Sequence, residues 1–102
     1  MTKLDSISIS KATPPDDLAP AMQALWWLKK GGLIMGVEWK KAHEICQRSE
    51  GNPDCDLVHA LAHWIEGDDG NAGYWYRRVG AKPAATVAAE WERIAVKIGH
   101  GQ

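Results

Sequence analysis

The stretch NPDCDLVHALAHWIEGDDGNAGYWYRRVG, residues 52–80, carries the start and stop signals of one helix and the start signals of another. Asn52 is a favoured N-cap residue, because its side-chain oxygen can accept a hydrogen bond from a free backbone N–H. Pro53 suits the first helical position, where its missing N–H leaves no bond unmade. Gly67 suits the position after the last turn, where the chain often becomes left-handed. This pattern predicts a helix that ends at Gly67.

A second helix follows after a very short turn. Its N-cap is predicted among three polar residues, Asp68, Asp69 and Asn71. The helix runs through Val79, and Gly80 is suited to close it. Because two helices joined by so short a turn pack side by side, the segment predicts a helical hairpin.

The same kinds of signal predict three further helices. They are expected from Asp16 or Asp17 to Lys30, from about Val37 to Ser49, and from Pro83 to about Ile98. No segment alternates apolar and polar residues over a length typical of a β-strand. The helix start and stop signals therefore predict helices along the whole chain after the N-terminal segment.

The last predicted helix has the most regular apolar spacing. Its apolar residues recur every three or four positions, which predicts an inward-facing stripe of Ala84, Ala88, Trp91, Ala95 and Ile98. The charged residues expected on the opposite, solvent-facing side are Glu90, Glu92, Arg93 and Lys97. Such a pattern is typical of an amphipathic helix packed against a core.

These elements predict an all-α fold: a single compact domain of about five helices arranged as antiparallel hairpins. A length of 102 residues fits one domain and is enough for a hydrophobic core. Residues 1–15 contain two adjacent prolines and few apolar residues, so we expect a loose, flexible N-terminal tail there. The helical domain is then expected to span residues 16–102.

The composition excludes several classes of protein. With 12 Lys and Arg against 13 Asp and Glu, the net charge is -1, which makes a nucleic-acid partner unexpected. No apolar run is long enough to cross a bilayer, so no membrane protein is expected. Cys46 and Cys55 form no CxxC motif, and the first residues lack the apolar run of a signal peptide. We therefore expect a cytoplasmic protein with two free thiols.

The helix that starts at Pro53 carries a polar stripe. At about 100° per residue, its polar side chains fall in one sector of the helix, opposite the apolar ones. The polar members are Asp56, His59, His63 and Glu66, and the apolar ones are Leu57, Leu61, Trp64 and Ile65. Histidines at i and i+4 have Cβ atoms about 6 Å apart, close enough to share one metal ion. His43, on the preceding helix, is a candidate fourth ligand.

Besides the binding of a ligand or a partner protein, three interpretations of this stripe remain open. The side chains can be solvated or paired with nearby arginines, as on any surface helix. His59 and His63, together with Glu66 or His43, can instead bind a divalent metal such as zinc. In the third interpretation, one histidine acts as a general acid or base, because imidazole titrates near neutral pH.

A second polar group follows on the next predicted helix. Tyr74, Arg77 and Arg78 are expected on its outer flank, where a hydroxyl and two guanidinium groups can hold a carboxylate or phosphate. The leading expectation is therefore a non-catalytic module that binds a partner protein or a small anionic ligand and needs no cofactor. Its site combines both groups: His43, His59, His63, Glu66, Tyr74, Arg77 and Arg78. The alternative is a metal-binding protein or acid–base enzyme that uses the histidines.

Trp26 and Trp27 raise the further expectation of a homodimer. Adjacent residues of a helix point about 100° apart, so both rings are not expected on one buried face. An exposed tryptophan is a typical hot spot of a protein interface. One of the two is therefore a candidate dimer contact.

Two strings between residues 39 and 80 stand out as whole motifs. They are W-x-x-A-H, beginning at Trp39, and H-A-x-x-H-x-x-E-G-D-x-x-N-A-x-Y-W-Y-R-R, beginning at His59. They resemble motifs of a family of small uncharacterised proteins from bacteria and fungi, over about 42 of the 102 residues. The resemblance implies membership and marks Trp39, His43, His59, His63, Glu66, Asp68, Asn71, Tyr74, Trp75, Arg77 and Arg78. Trp64 departs from the family pattern, which has a basic residue there.

Overall fold

The computed structural model describes residues 9–99, and the chain there forms five helices and no β-strand. The helices are α1 (Pro20–Lys30), α2 (Val37–Arg48), α3 (Pro53–Ile65), α4 (Asp69–Val79) and α5 (Val87–Gly99). The prediction of an all-α bundle of about five helices is confirmed.

Helix α3 occupies the centre of the bundle. It packs against α1, α2, α4 and α5, and every side chain from Cys55 to His63 is buried. That run includes Asp56 and His59, which are polar and need partners inside the fold. The sequence left open whether the polar stripe faces solvent. The structure buries its histidines, with a ring from α2 and a ring from α4 packed against them.

The predicted hairpin of α3 and α4 is present, with the predicted capping residues. Asn52 Oδ1 accepts a hydrogen bond from the Asp54 N–H at 3.0 Å. Asp68 Oδ1 likewise accepts from the Asn71 N–H at 3.1 Å. Gly80 closes α4 in the left-handed conformation, with a φ of 69°. The capping residues set the ends of α3 and α4, and the two helices pack closely against each other as the hairpin prediction requires.

Helix α1 begins at Pro20, later than the predicted start at Asp16 or Asp17. Proline disfavours the helical conformation of the residue before it, and Ala19 is accordingly extended, with a φ of -60° and a ψ of 154°. Proline is well tolerated at the first position of a helix. The predicted boundary was wrong because Pro20 determines it more strongly than either aspartate.

Helix α5 also begins later than predicted, at Val87 instead of Pro83. Thr86 Oγ1 accepts a hydrogen bond from the backbone N–H three residues later, at 3.1 Å, and such a bond caps a helix. Ala84 therefore precedes the helix, and Ala88 is exposed. The predicted inner stripe is wrong at these two positions. It is correct at Trp91, Ala95 and Ile98, which are buried together with Ile94.

Glu90 is fully buried, although its position in the amphipathic pattern predicted it on the solvent side. Its carboxylate accepts four hydrogen bonds of 2.8 Å: two from Arg93, one from the Tyr76 hydroxyl and one from the Ala84 N–H. An ionised carboxylate can enter a protein core only with partners of this kind. This Glu90 network links α5 to α4 and to the loop between them.

Both tryptophans of α1 are buried, Trp26 completely and Trp27 with an exposed fraction of 9%. The prediction that one of them is an exposed dimer contact is therefore wrong. Adjacent rings can both be covered because α1 packs against α2, α3 and α5. In addition, Thr13 and Pro14, from the segment before α1, line the same cavity as Trp27.

The N-terminal tail predicted for residues 1–15 lies partly outside the described residues. Within the described part, Pro14 is buried. The domain boundary at residue 16 stays a prediction. Cys46 and Cys55 are buried free thiols. No helix within residues 9–99 has both the length and the apolarity needed to cross a membrane.

Candidate metal centre

Three histidines from two helices meet beside α3. His43 comes from α2, and His59 and His63 lie one turn apart on α3. One ligand nitrogen of each imidazole lies within 4.8 Å of the ligand nitrogens of the other two. The Nε2 atoms of His43 and His59 are 3.2 Å apart. The structure thus brings together the i,i+4 pair and the candidate ligand from the preceding helix.

Two tryptophan rings pack against the histidines. Trp39, one turn before His43 on α2, stacks on the His43 imidazole with a centroid distance of 4.9 Å and an interplanar angle of 9°. Trp75 of α4 stacks on His59 at a centroid distance of 4.3 Å. The Trp39 Nε1–H also donates to the Ala62 carbonyl oxygen at 2.8 Å, which ties α2 to α3 beside the site. Packing from three helices therefore restricts rotation of the imidazole rings.

Glu66 contacts the cluster from the C-terminal end of α3. Its Oε1 lies 2.7 Å from His63 Nδ1. A carboxylate at Nδ1 favours the tautomer with the proton on that nitrogen and leaves a lone pair on Nε2. Proteins commonly orient histidine ligands of metals in this way. Glu66 therefore lies where an orienting group is needed.

Asp68 lies next to this pair. Its carboxylate forms a second close group with His63 and Glu66, in which the candidate ligand atoms lie within 4.8 Å of one another. Its two oxygens, however, accept hydrogen bonds from the backbone and side-chain nitrogens of Asn71, at 3.1 Å and 2.8 Å. Capping of α4 explains the position of Asp68.

The surroundings of two histidines favour the neutral form of imidazole. Burial, together with the neighbouring His63 and His43, lowers the pKa of His59 from 6.5 to about 4. Burial and His63 also lower the pKa of His43, although Glu66 and Glu44 oppose that shift. Metal ions bind the neutral form of imidazole. The cluster can therefore donate lone pairs to a metal without first losing protons.

One polar atom of the cluster has no partner. His59 has an exposed fraction of 2%, and its Nδ1 makes no hydrogen bond within the described residues. A buried polar atom left unpaired costs about 1–3 kcal/mol. Such atoms are rare in folded proteins, so this one requires an explanation other than stability.

Asp56, the remaining member of the predicted stripe, lies outside the cluster. It is buried, and its two carboxylate oxygens accept from the Gly51 N–H at 3.2 Å and 3.3 Å. Asp56 therefore stabilises the turn between α2 and α3.

The predicted group of tyrosine and arginines is divided between two flanks of α4. The Arg78 guanidinium donates to the Tyr74 hydroxyl at 3.2 Å and lies over the Trp75 ring at 5.1 Å. Trp75 is the ring that packs on the histidines. Arg77 instead lies against Gly73 and lines a separate cavity. The structure therefore separates Arg77 from the histidine cluster.

Trp39 and Trp75 are parts of the site that residue patterns did not single out, and only the family resemblance marked them. Trp39 stands four residues before His43, a spacing that places two rings on one helix face. That spacing could have identified the stacked pair. The contact of Trp75 with His59 depends on how α4 docks against α3, and no sequence spacing reports it.

Comparisons with protein families, with curated proteins and with solved structures found no match to this chain. The family membership inferred from the two motifs therefore stays a prediction. The function has to be inferred from the geometry of the site.

Proposed function

We propose that this protein binds a divalent transition-metal ion, with zinc preferred, through His43, His59 and His63. The observation that carries this proposal is the convergence of three imidazoles, one of which is oriented by Glu66. Imidazole nitrogen is a preferred ligand of zinc. Zinc has no geometric preference of its own from d electrons, so it accepts ligand positions that the helices impose.

The distances support a shared ion. A tetrahedral zinc ion with Zn–N bonds of about 2.0–2.1 Å places two ligand nitrogens about 3.3 Å apart. The 3.2 Å between the Nε2 atoms of His43 and His59 agrees with that spacing. The His63 nitrogen lies within 4.8 Å of the ligand nitrogens of both others. To share a tetrahedral ion, the His63 nitrogen must approach the other two to about 3.3 Å.

Three protein ligands leave a fourth coordination position. His59 and His63 are buried, whereas His43 is partly exposed, so solvent reaches the cluster beside α2. The expected fourth ligand is a water molecule or a small anion, since zinc sites with three protein ligands are usually completed in this way. This position would give the protein the small anionic ligand that its sequence predicts.

A metal-free anion site built from all seven predicted residues has less support. Arg77 lies on the other flank of α4, and Arg78 is bonded to Tyr74. The lowered pKa values of His43 and His59 leave those imidazoles without positive charge at neutral pH. An anion would therefore find little charge at the cluster unless a metal ion were bound.

The decisive experiment measures metal stoichiometry and affinity. Untagged protein is purified without chelator, its metal content is measured by mass spectrometry, and zinc is titrated against a competing chelator. We expect about one zinc per chain for the unaltered protein and none for His59→Ala, because two remaining histidines make a weak site. Gln47→Ala is the matched control, since Gln47 is exposed one turn after His43 on α2.

The proposal fails if His59→Ala and Gln47→Ala bind zinc as the unaltered protein does. It also fails if no tested divalent metal binds more tightly than about 1 mM. Circular dichroism of each variant checks that the helices are intact. A separate variant, Glu66→Gln, is expected to weaken zinc binding by about 10–100-fold while leaving the stoichiometry at one, because Glu66 acts on His63 and not on the ion.

A further inference from the structure

The flank of α4 that faces away from the histidines borders a second cavity, of about 370 Å³. It lies between the end of α3, one side of α4 and the loop that follows α4. Its apolar walls are formed by Trp64, Ala72, Tyr76 and Pro83, and Arg77 and Lys82 lie at its edge. Cavities that bind small molecules are commonly of about 300–1,000 Å³, so this one would hold a ligand of one or two rings.

The walls of this cavity are apolar even where a tyrosine contributes. The Tyr76 hydroxyl donates to Glu90 Oε2 at 2.8 Å, so its polar end is already engaged in the core. Only the ring of Tyr76 remains for contact with a ligand. Trp64 is half-buried at the end of α3 and adds a second aromatic surface. Two aromatic side chains favour a flat, apolar ligand body.

Two cations at the cavity have no partner among residues 9–99. The Arg77 guanidinium and the Lys82 ammonium group make no ion pair and no hydrogen bond within the part of the chain described here. Asp69 also lines the cavity, so the three charges sum to one positive charge. Guanidinium groups bind carboxylates through two parallel hydrogen bonds. A single negative charge on the ligand would balance the site.

Gly73 leaves room for the guanidinium of Arg77 beside α4. A Cβ atom at position 73 would come 3.0 Å from Arg77 Nη1, so the absence of a side chain lets the guanidinium pack against the helix. The guanidinium therefore lies along α4 beside the aromatic wall, although Arg77 is exposed to solvent. Glycine is otherwise unfavourable in a helix interior. Its presence at position 73 is explained by the close approach of the Arg77 guanidinium.

We propose that this cavity binds a small aromatic carboxylate. The ring system packs against Trp64 and Tyr76, and the carboxylate is held by Arg77 with support from Lys82. The site is independent of the histidine cluster, because it lies on the other flank of α4 and contains none of the proposed metal ligands.

The test is calorimetric titration of metal-free protein with 2-naphthoate, in the presence of a chelator. The chelator ensures that binding cannot come from a carboxylate on a zinc ion, so this result and the metal result can fail separately. We expect binding of one 2-naphthoate per chain. The uncharged analogue 2-naphthalenemethanol is expected to bind at least tenfold more weakly, and acetate not to bind at all.

Variants of two neighbouring arginines localise the site. Arg77→Gln should weaken 2-naphthoate binding at least tenfold, whereas Arg78→Gln, the same change on the other flank of α4, should leave it within twofold. Gly73→Ala should weaken binding while raising the melting temperature, because the added methyl group displaces the guanidinium but favours the helix. A merely structural effect would move binding and stability in the same direction.

The proposal is overturned if 2-naphthoate does not bind, or if the alcohol binds as tightly as the carboxylate. It is equally overturned if Arg77→Gln and Arg78→Gln have the same effect. The His59→Ala variant should bind 2-naphthoate with unchanged affinity, and a loss in that variant would assign the carboxylate to the histidine cluster instead.

Discussion

Two buried polar clusters of this bundle differ in how completely their hydrogen bonds are made. The Glu90 carboxylate has four donors, each at 2.8 Å, from Arg93, Tyr76 and a loop N–H. The histidine cluster has one carboxylate at its edge, and the buried Nδ1 atom of His59 has no hydrogen-bond partner within residues 9–99. A satisfied cluster stabilises a fold, whereas a buried polar atom without a partner reduces its stability.

The two clusters also differ in charge: Glu90 is ionised, whereas His59 is neutral. Burial opposes ionisation of Glu90, but hydrogen bonds from Arg93, the Ala84 N–H and Tyr76 outweigh it and lower the pKa of Glu90 below 4.5. Burial of His59 meets no such compensation, so its pKa falls and the ring stays neutral. We infer that the Glu90 network serves the fold and that the histidine cluster serves binding. The following four experiments test that contrast.

The largest effect is expected from Glu90→Leu. This change keeps the volume of the side chain but leaves the Tyr76 hydroxyl and the Ala84 N–H without an acceptor. We expect the free energy of unfolding to fall by about 3–5 kcal/mol, because two buried donors lose a charged acceptor and each such bond contributes about 1.5–3 kcal/mol. Urea unfolding measures it. Glu92→Leu is the matched control, because Glu92 is exposed and its ion pair with Lys29 is long, at 3.4 Å. If both variants lost the same free energy of unfolding, the Glu90 network would not be the stabilising cluster.

Acid should affect the two clusters in different pH ranges. The pKa of His59 is 6.5 when unfolded and about 4 when folded, so the unfolded chain takes up the proton first. The stability of the metal-free protein should therefore fall as the pH drops from 6.5 to about 4. This loss is at most about 3 kcal/mol. His43, whose pKa is also lowered, adds to the loss in the same direction.

The contribution of Glu90 also falls with decreasing pH, because folding lowers its pKa too, but it does so in a lower pH range. It is present above pH 4.5 and is lost only as the pH falls below that value. Urea unfolding at a series of pH values separates the two ranges. In His59→Leu the loss between pH 6.5 and 4 should shrink while the loss below pH 4.5 remains. If the free energy of unfolding fell with pH in the same way in His59→Leu as in the unaltered protein, the two pH ranges could not be assigned to the two clusters.

Tyr76→Phe tests one donor of the Glu90 network. The ring stays in place and only the hydroxyl that bonds to Glu90 is removed. A hydrogen bond to a charged group contributes about 1.5–3 kcal/mol, so the loss should be smaller than that of Glu90→Leu. Chemical denaturation gives the value, and Tyr74→Phe, which alters an exposed tyrosine, is the control. A variant as stable as the unaltered protein would show that Arg93 and the Ala84 N–H together satisfy the carboxylate.

The smallest effect has the opposite sign. His59→Leu removes the unpaired Nδ1 and should raise the stability of metal-free protein by about 1 kcal/mol. The same variant should lose all stabilisation by zinc. Thermal unfolding with and without zinc measures both changes. A metal-free variant that is less stable than the unaltered protein would show that the histidines are structural, and would remove the contrast between the clusters.

Local signals in the sequence were sufficient for the α3–α4 hairpin, because caps and turns depend on neighbouring residues. They failed at the start of α5, where small alanines fit the helical spacing without being buried. They also failed at Glu90, whose burial depends on Arg93 one turn away and on Tyr76 from another helix.

The candidate site was predictable to the same limited extent. Helical spacing identified His59 and His63, since an i,i+4 pair is a property of one helix. The position of His43 beside them depends on how α2 packs against α3, which the spacing within one helix does not report. The separation of Arg77 from Arg78 was within reach of the sequence, because adjacent residues of a helix diverge by about 100°. Arg78 pairs with Tyr74 at i,i+4, and Arg77 lies beside Gly73 at the same spacing.

The indole of Trp39 has a consequence for kinetics. Its hydrogen bond to the Ala62 carbonyl fastens α2 over His59 and His63, which are both buried. Water and small anions reach the ion beside His43, but a multidentate chelator needs several coordination positions at once, so we expect it to remove the ion only when α2 swings away and withdraws His43. The rate of metal release should then equal the rate at which α2 opens, as seen by hydrogen exchange of its amides, and should stop rising at high chelator concentration. In such a protein, residence time is determined by a helix and not by the strength of the metal–nitrogen bonds.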